Sequence, residues 1–600
     1  MSADHVSCAA GRSPRRGAAT GLRAGVVAVL CLLVGALLAS CMQVPDSGPV
    51  RAGPEVGSDD EPVLRFSPSG PRPGADPVAV INGYLVAMRA YPANPGTVRE
   101  FLTEKAAASW SPSAGTQIYR EGPELEDAGR DAVRMETELE ATLTARGEWT
   151  LPPPDQRRLE QVFRLQKEAG QWRIANPAPG LLIPEYDFER YYRPYSLYFL
   201  DPALRVLVPD PVFLPQGDQT ATLLLRGLLR GPTDWLRGAV DSMLAGADQS
   251  NASVPVSDEG VAQVQLGTAA GGLGATEREL LAAQLSWTLR QVPDVEAFRV
   301  TVNGTPLPME DGSSVIDVGD ESSYDPSDAA ASQTLYALGG DHVVTVDPVQ
   351  GLSRRIGGLF GSGASPVSAF AVERSAQTVA AVTRGGSTVE VAPIGGDAAQ
   401  TWFDRGRSLL DLQWDIHGVL WAVDRTRAGS VAYALRDGRS APVALRDGAP
   451  RDIQAFALSR DGLRLAVVDG SGDSSRLLLG RVRRPADGSL PTSVDSWREV
   501  VTMESRLTGF VDVAWASPTE MTVVAEENPD SPQTFTVSID GSAVEPSSLV
   551  DLDVVSVTDA PSADLPAVVG TLPGSLFVQL PDRWSEVALT GAYRQPSYVE

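Results

Sequence analysis

The sequence contains few of the residues that form cross-links or bind transition metals. Its 600 residues include three cysteines and three histidines. Three of these six lie in the first 40 residues: His5, Cys8 and Cys31. These 40 residues are predicted below to be removed as an export signal, which leaves Cys41 as the only cysteine of the mature chain. We therefore expect no disulfide, although the predicted extracytoplasmic compartment permits one. His342 and His417 are too few for a His/Cys zinc cluster and leave little for Ser-His-Asp chemistry, and we predict that both lie in loops or at a rim.

Sequence motifs of catalysis and nucleotide binding are also scarce. The chain has no G-x-S-x-G, no H-E-x-x-H and no phosphate-binding P-loop. A glycine-rich stretch, Gly271–Gly274, precedes a predicted helix, but Glu277 stands where a dinucleotide fingerprint needs its third glycine. We therefore predict that Thr276 is a helix N-cap. The sequence predicts no catalytic residue and no cofactor-binding residue.

One acidic segment has the spacing of a calcium loop without its full pattern. The candidate ligands are Asp469, Ser471, Asp473 and Ser475. Ser474 occupies the sixth position, which requires glycine, and Gly480 occupies the twelfth, which requires glutamate. The pattern favours a solvated turn between strands, and we predict no metal ligand.

The chain is strongly acidic, with a formal net charge of −26 at pH 7. Without residues 1–40, which hold four arginines and one aspartate, the charge is about −29. Phosphodiester backbones and anionic lipid head groups repel such a surface, so nucleic acid is excluded as a partner. The charge is consistent with a folded body that a tether holds away from a membrane.

The N-terminal segment has the features of a lipoprotein export signal. An apolar run of 16 residues, Ala24–Ala39, follows four arginines and is shorter than the ~20 residues that span a bilayer. It ends in Leu38-Ala39-Ser40-Cys41, which is typical of a lipobox. We predict cleavage after residue 40 and an N-palmitoyl, S-diacylglycerol cysteine at Cys41, which would anchor the protein on the extracytoplasmic face of the cell membrane. The alternative is a transmembrane segment with an incidental cysteine.

The segment from residue 41 to residue 194 predicts a spacer and then a small α+β domain. Residues 41–75 are rich in Pro, Gly and Ser and predict a flexible spacer. Apolar residues at helical spacing predict one helix from Pro77 to about Tyr91 and a second over Thr97–Ala108. Strands are predicted at Thr116–Tyr119, Thr137–Ala145, Glu160–Gln166 and Gln171–Ala175, the last two joined by a hairpin turn around Ala169. Helices followed by a curled antiparallel sheet indicate a cone-shaped domain over 76–194.

Residues 195–309 predict a second α+β module. Its expected strands are Tyr195–Leu200, Ser253–Val256, Val261–Leu266 and Ala297–Val302, and its expected helices are Gln219–Arg230 and Thr276–Gln291. Asn303-Gly304 predicts a tight turn after the last strand. An acidic linker, 310–330, separates this module from the rest.

Residues 331–593 contain a repeat. Apolar triplets recur at Phe370–Val372, Leu412–Trp414, Phe456–Leu458 and Val513–Trp515, with spacings of 42, 44 and 57 residues. A polar turn and another apolar strand follow each triplet, and similar strands occur at Thr334–Val346 and Ala567–Val578. A period near 40–45 residues with several short strands indicates a β-propeller, since each blade buries its faces against its neighbours. A flat array of β-sandwiches is the alternative.

The order of these parts resembles the family of actinobacterial LpqB lipoproteins. The resemblance covers essentially the whole chain and is carried by the lipobox, Pro45–Pro49, Gln171–Ile174, Tyr198–Asp201 with Leu207–Asp210, Gln284–Leu289 and the C-terminal propeller. It implies that 195–309 is a GerMN domain and that 331–593 is an LpqB propeller domain. It also implies a non-catalytic accessory of the MtrA–MtrB two-component system that contacts the extracellular part of the sensor kinase MtrB. The motifs are architectural, so no binding residue is carried over.

Two functional hypotheses therefore stand. The first is a lipid-anchored accessory protein that binds a sensor kinase and so influences envelope and division genes. The second is an envelope enzyme that acts on cell-wall glycan through paired carboxylates in the propeller channel or the middle module. An enzyme requires acids that converge in one pocket, whereas an interaction protein requires only an exposed apolar or aromatic surface.

Overall fold

The computed structural model describes residues 68–90, 95–246, 252–319, 324–327, 332–500, 507–527, 532–547, 553–559, 565–581 and 583–599. The predicted signal peptide, the lipobox and most of the predicted spacer lie outside these residues. The described chain consists of two α+β modules and a ring of β-sheets, which confirms the predicted fold class.

The first module has helices on one side of a curled sheet. Its helices are α1 (Pro77–Met88), α2 (Pro95–Glu100), α3 (Glu104–Ser109) and α4 (Glu185–Tyr191). Its strands are β1 (Thr116–Tyr119), β2 (Glu124–Asp127), β3 (Ala132–Leu143), β4 (Trp149–Thr150), β5 (Arg158–Glu168), β6 (Gln171–Ile174) and β7 (Leu181–Pro184). The main sheet order is β6-β5-β3-β1-β7, with β7 parallel to β1 and the other pairs antiparallel. Asp76 caps α1 by accepting a hydrogen bond from the Ala79 N–H at 2.8 Å, as expected for an N-cap aspartate.

The prediction of one continuous helix over Thr97–Ala108 is wrong. The chain leaves the helix at Phe101, whose carbonyl accepts a hydrogen bond from the Ile174 N–H, while Ile174 in turn accepts one from the Thr103 N–H. This pairing with the end of β6 replaces the helical bonds. Thr103 then caps α3 through its side chain. A contact with a residue more than 70 positions away thus overrides the local helical pattern.

The second module packs two helices against short strands. It contains β8 (Tyr192–Leu200), β9 (Leu207–Pro215), α5 (Thr220–Arg230), β10 (Val261–Leu266), α6 (Ala275–Leu289), β11 (Ala297–Val302), β12 (Thr305–Pro306) and β13 (Ile316–Asp317). β8 and β9 form an antiparallel ribbon, and β10 runs parallel to β11. The apolar faces of the ribbon and helices enclose a common core that includes Phe199, Leu224, Leu285 and Phe298.

Two local predictions in this module need correction. Gly274, and not Thr276, is the N-cap of α6, and the Glu277 carboxylate accepts a hydrogen bond from the Gly274 N–H at 2.7 Å. Ser253–Val256 makes only a bridge between Val256 and Ala262 and is not a strand. The turn at Asn303-Gly304 is confirmed, because both residues have positive φ and Val302 pairs with Thr305.

The described part of residues 332–599 forms six four-stranded blades. Blade 1 comprises β14 (Leu335–Gly339), β15 (His342–Asp347), β16 (Leu352–Arg355) and β37 (Tyr593–Ser597), with α7 (Leu359–Ser362) after β16; blade 2, β17 (Ala369–Val372), β18 (Thr378–Thr383), β19 (Thr388–Pro393) and β20 (Gln400–Phe403); blade 3, β21 (Leu409–Trp414), β22 (Leu420–Thr426), β23 (Gly429–Arg436) and β24 (Arg439–Leu445). Blade 4 comprises β25 (Ile453–Leu458), β26 (Arg464–Asp469), β27 (Arg476–Arg483) and β28 (Ser493–Glu499); blade 5, β29 (Thr508–Ser517), β30 (Glu520–Glu526), β31 (Gln533–Ser538) and β32 (Val544–Pro546); blade 6, β33 (Val554–Thr558), β34 (Val568–Thr571), β35 (Leu576–Leu580) and β36 (Arg583–Glu586).

The ring closes through its last strand. β37 pairs antiparallel with β14, so the C-terminal segment supplies the fourth strand of the blade that begins the ring. The predicted propeller boundary at residue 593 is too early, because β37 begins at Tyr593 and continues to Ser597, and Tyr598 and Val599 are buried.

Six apolar clusters fill the seams between successive blades. The seam between blades 4 and 5 contains Val468, Leu479, Trp515 and Phe535, and the five others have similar aliphatic and aromatic composition. The four predicted triplets all lie in the inner strands β17, β21, β25 and β29. The apolar strands predicted after them are β18, β22, β26 and β30. The repeat pattern therefore located the inner halves of blades 2–5.

Candidate functional site

Two carboxylates lie on inner strands of the propeller and influence each other electrostatically. Asp411 lies on β21 of blade 3 and Asp512 on β29 of blade 5. Asp411 accepts hydrogen bonds from the Leu412 N–H at 2.8 Å and from the side chain of Gln595, which belongs to the closing strand β37. Asp512 accepts bonds from the Val513 N–H and, on the neighbouring blade 6, from the Val557 N–H, both at 2.9 Å. The two side chains thus link inner strands of four blades.

Burial changes the ionisation of both groups. It raises the pKa of Asp411 to about 6 and that of Asp512 to about 7, because removal from water disfavours the charged form. The charge of Asp411 raises the pKa of Asp512 further. Carboxyl groups that titrate near neutrality can accept and release protons, which makes the axis a chemically competent candidate site.

The second module covers one face of the propeller at blades 3 and 4. Arg464, on β26, is fully buried, pairs with Asp461 and donates a hydrogen bond to the carbonyl of Pro209 on β9. Arg481 donates to the carbonyl of Trp235, and Arg483 to that of Gly238 at 2.5 Å. In return, the Trp235 indole N–H donates to the Ser496 carbonyl at 2.7 Å. Directional bonds from arginines to backbone carbonyls therefore join the two parts.

A charged cluster lies beneath this junction. Asp210 accepts two hydrogen bonds from Thr233, and burial raises its pKa. The Arg498 guanidinium stacks 4.6 Å from the Trp235 ring and lies 3.6 Å from the Glu148 carboxylate of the first module. The cavity among these groups measures about 10 Å³, room for one water molecule at most. The cluster is thus a packed three-module contact and too small to hold an organic ligand.

His417 lies in the turn between β21 and β22, as predicted, but the second module buries it. Its Nε2 atom lies 3.7 Å from the carboxylate of Asp201, which itself accepts three backbone hydrogen bonds within its own loop. Burial, reinforced by the positive charge of Arg484, lowers the pKa of His417 to about 4. A neutral imidazole at the junction is therefore the stable form at pH 7. His342, by contrast, opens β15 at a hairpin turn on blade 1.

The other residues considered in the sequence have structural positions. The Asp469 carboxylate accepts hydrogen bonds from the Arg451 and Asp452 N–H groups and pairs with Arg476. Asp424 accepts the corresponding bonds from Arg407 and Ser408 in blade 3, so these aspartates fix the same loop in successive blades. Cys41 lies outside the described residues.

The axial acids were missed although the sequence carries a signal for them. Asp411 and Asp512 each immediately precede an aligned triplet, at the same position of two repeats. An acidic residue that recurs directly before an apolar triplet of an inner strand could have been singled out. Within the described ranges, no group of three or more metal-binding side chains occurs, and no helix has the length and hydropathy needed to cross a bilayer.

Comparison with known proteins identifies the family. Three family models match consecutive parts of the chain: "Lipoprotein LpqB, N-terminal domain" over 70–189, "Sporulation and spore germination" over 196–308, and "Lipoprotein LpqB beta-propeller domain" over 342–599. The chain belongs to the LpqB lipoprotein family. The resemblance stated from the sequence is thereby confirmed, and membership in a lipoprotein family is consistent with a membrane anchor and an accessory role.

Individual LpqB relatives match nearly the full length. Lipoprotein LpqB of Thermobifida fusca is 29% identical over 91% of this chain and 94% of its own length. The protein of the same name from Mycolicibacterium smegmatis is 29% identical over 92% of this chain and 93% of its own. Among solved structures, the first GerMN domain of the sporulation protein GerM from Bacillus subtilis is 20% identical over 21% of this chain and 99% of that domain, with a TM-score of 0.18.

Proposed function

We propose that this LpqB-family protein is a lipid-anchored, extracytoplasmic accessory protein that binds the extracellular part of an MtrB-like sensor kinase. Through that contact it modulates MtrA–MtrB signalling in envelope and division control. It acts by binding and performs no catalysis. Family membership supports the accessory role, and the distribution of exposed apolar side chains supports the binding role.

One observation on the propeller carries the binding proposal. Four large apolar side chains exposed on the described surface belong to blades 1 and 6: Val349 (92% exposed), Leu352, Val555 and Leu572 (71%). These neighbouring blades lie across the ring from blades 3 and 4, to which the second module is joined. Exposed apolar side chains on blades that lie away from an internal junction are available to a protein partner. We assign the kinase contact to blades 1 and 6.

The anchor is tested at Cys41. Cys41→Ala removes the thiol that accepts lipid, so the precursor should remain uncleaved or the protein should leave the membrane fraction, without incorporation of labelled palmitate. Cys31→Ala, which removes a thiol ten residues earlier within the apolar run, is the matched control and should behave as wild type. A Cys41→Ala protein that is processed and fractionates like wild type would contradict the proposed anchor.

A tether makes weak affinity sufficient, because two proteins in one membrane plane meet at high effective concentration. The acidic body favours a partner surface rich in Arg or Lys, so association should weaken as salt rises through ~0.1 M. We would titrate the mature chain carrying Cys41→Ser against the purified kinase ectodomain at low and moderate salt. The double variant Val349→Asp, Leu572→Asp should weaken binding at least tenfold, whereas Tyr186→Asp, an exposed aromatic site on the first module, should not. The proposal would be overturned by two results together: no binding at ~100 μM, and phosphotransfer by the kinase in vesicles that is the same with and without this protein.

The second candidate function, an envelope glycan hydrolase, is favoured by one observation. Asp411 and Asp512 are two carboxyl groups near one axis with pKa values of about 6 and 7. Their backbone hydrogen bonds favour a structural role instead. The hydrolase would be established if the wild type, but not Asp512→Asn, released soluble fragments from purified cell wall. Equal release by both proteins would exclude these acids as catalytic groups.

A further inference from the structure

A cleft between the first and second modules combines an apolar floor with a basic rim. Its volume is about 80 Å³, whereas roughly 10–15 Å³ holds one water molecule, so a group of several heavy atoms fits. The floor consists of buried side chains from both modules, among them Leu143, Leu181, Leu197, Val212 and Phe213. Three arginines, Arg146, Arg226 and Arg230, line the same cleft.

One face of α5 supplies half of the rim. Leu223, Arg226, Gly227 and Arg230 occupy positions i, i+3, i+4 and i+7 and therefore share a side of the helix. Gly227 lets this side approach β8 closely, because a Cβ atom there would lie 2.8 Å from the Leu197 side chain. The helix thus places two guanidinium groups over the apolar floor.

The three arginines have different partners. Arg146 donates hydrogen bonds to the carbonyls of Arg230 and Gly231, and Arg230 donates to the carbonyl of Ala145 at 3.2 Å, so this pair fastens the two modules. Within the part of the chain that the structure describes, Arg226 donates its Nε–H to the Ala252 carbonyl at 3.1 Å. Among the described residues, neither Arg226 nor Arg230 forms an ion pair with a carboxylate.

We propose that this cleft binds a small amphiphile that has a carboxylate or phosphate head group and a short apolar body. The guanidinium groups of Arg226 and Arg230 bind the head group, since their planar donors match both anions. The apolar body lies on the leucine, valine and phenylalanine floor. Such a ligand contacts both modules and stabilises their mutual arrangement.

Calorimetric titration of the complete mature chain with Cys41→Ser tests the site. Octanoate and octyl phosphate supply both parts of the ligand, acetate and inorganic phosphate supply the head alone, and octyl glucoside below its micellar concentration supplies an apolar chain with a neutral head. We expect saturable binding of one equivalent of an octyl anion, at least tenfold tighter than any of the other three probes. A preference for octyl phosphate or for octanoate distinguishes a phosphate ester from a fatty carboxylate as the natural source.

Two variants locate the binding. Arg226→Gln should weaken octyl anion binding at least tenfold. Leu223→Trp, which narrows the apolar part of the cleft, should also weaken this binding. Arg134→Gln, an exposed arginine on β3 of the first module, is the matched control and should bind as wild type. Equal binding of inorganic phosphate or octyl glucoside, or wild-type affinity in Arg226→Gln with unchanged thermal unfolding, would overturn the proposal.

Discussion

The seams between blades and the junction between the second module and the propeller are built by different forces. The seams are apolar, with clusters of valine, leucine and aromatic side chains between successive sheets. The junction has only a small apolar cluster, Val208, Leu236 and Leu463, and adds Arg464, Arg481 and Arg483, whose guanidinium groups donate to backbone carbonyls of the second module. Apolar burial is non-directional and scales with area, whereas these bonds require a fixed orientation of both partners. The seams therefore hold the ring together, and the junction fixes where the second module sits on it.

The largest expected effect comes from opening the ring. A fragment over 332–592 lacks β37, so β14 keeps β15 but loses its second pairing partner, and the seam between blades 1 and 6 loses Tyr593 and Tyr598. We expect it to lose cooperative thermal unfolding, while a fragment over 332–599 unfolds in one transition with the circular dichroism of a β-protein. Equally cooperative unfolding of the two fragments would show that ring closure by β37 does not contribute to the stability of the propeller. It would contradict the conclusion that the seams hold the ring together.

Arg464→Met tests the junction. The substitution leaves Asp461 buried without its cation and removes the bond to Pro209, and breaking a buried pair in this way costs ~3–5 kcal/mol of unfolding free energy. Arg134→Met, which breaks an exposed pair with Glu160, is the control and should cost at most ~1 kcal/mol. Denaturant titration of the full mature chain measures both. Similar losses in the two variants would mean that the junction is no more stabilising than a surface pair.

The pH dependence of stability should separate the junction from the axis. At the junction, the pKa of His417 is about 4 in the folded protein and ~6.5 when unfolded, so the unfolded chain binds more protons between these values. Stability from this site should be complete above pH ~6.5 and should fall as the pH drops toward 4. The charged groups around the imidazole are Asp201, Asp415, Arg205 and Arg484. His417→Gln should flatten this part of the profile.

The axis should respond in the opposite direction. The folded pKa values of Asp411 and Asp512, about 6 and 7, lie above the ~3.9 of an unfolded aspartate. Stability from these sites is complete below pH ~4 and should fall as the pH rises to 7, by ~1.4 kcal/mol for each unit of pKa difference. Asp512→Asn should therefore gain stability relative to wild type above pH 7. A loss that grows with pH in this variant would show that the ionised form is the stable one.

The sequence predicted the seams better than the junction, for physical reasons. The triplets of blades 2–5 are apolar because each must pack against two neighbours, and that requirement leaves a periodic pattern. The junction leaves none, since Pro209, Trp235 and Gly238 take part through backbone atoms that every residue has.

Long-range pairing explains the other omissions. The closing strand Tyr593–Ser597 contains Arg594, Gln595 and Pro596, lacks an apolar triplet, and pairs with a strand more than 250 residues earlier. At the site, a local signal existed for Asp411 and Asp512, but their convergence depends on the curvature of the ring. Of the cleft arginines, Arg146 is separated from Arg226 and Arg230 by about 80 residues and meets them only because the two modules pack together.

The position of β37 also determines when the propeller can be completed as the chain is synthesised. Blades 2–6 can form in order, but the edge of β14 that faces away from β15 must wait for the last strand with its backbone donors and acceptors unpaired. An open strand edge of this kind is a template for association with other chains. A product that ends before residue 593 would keep that edge permanently, so the last residues of the chain are needed to remove this template for association.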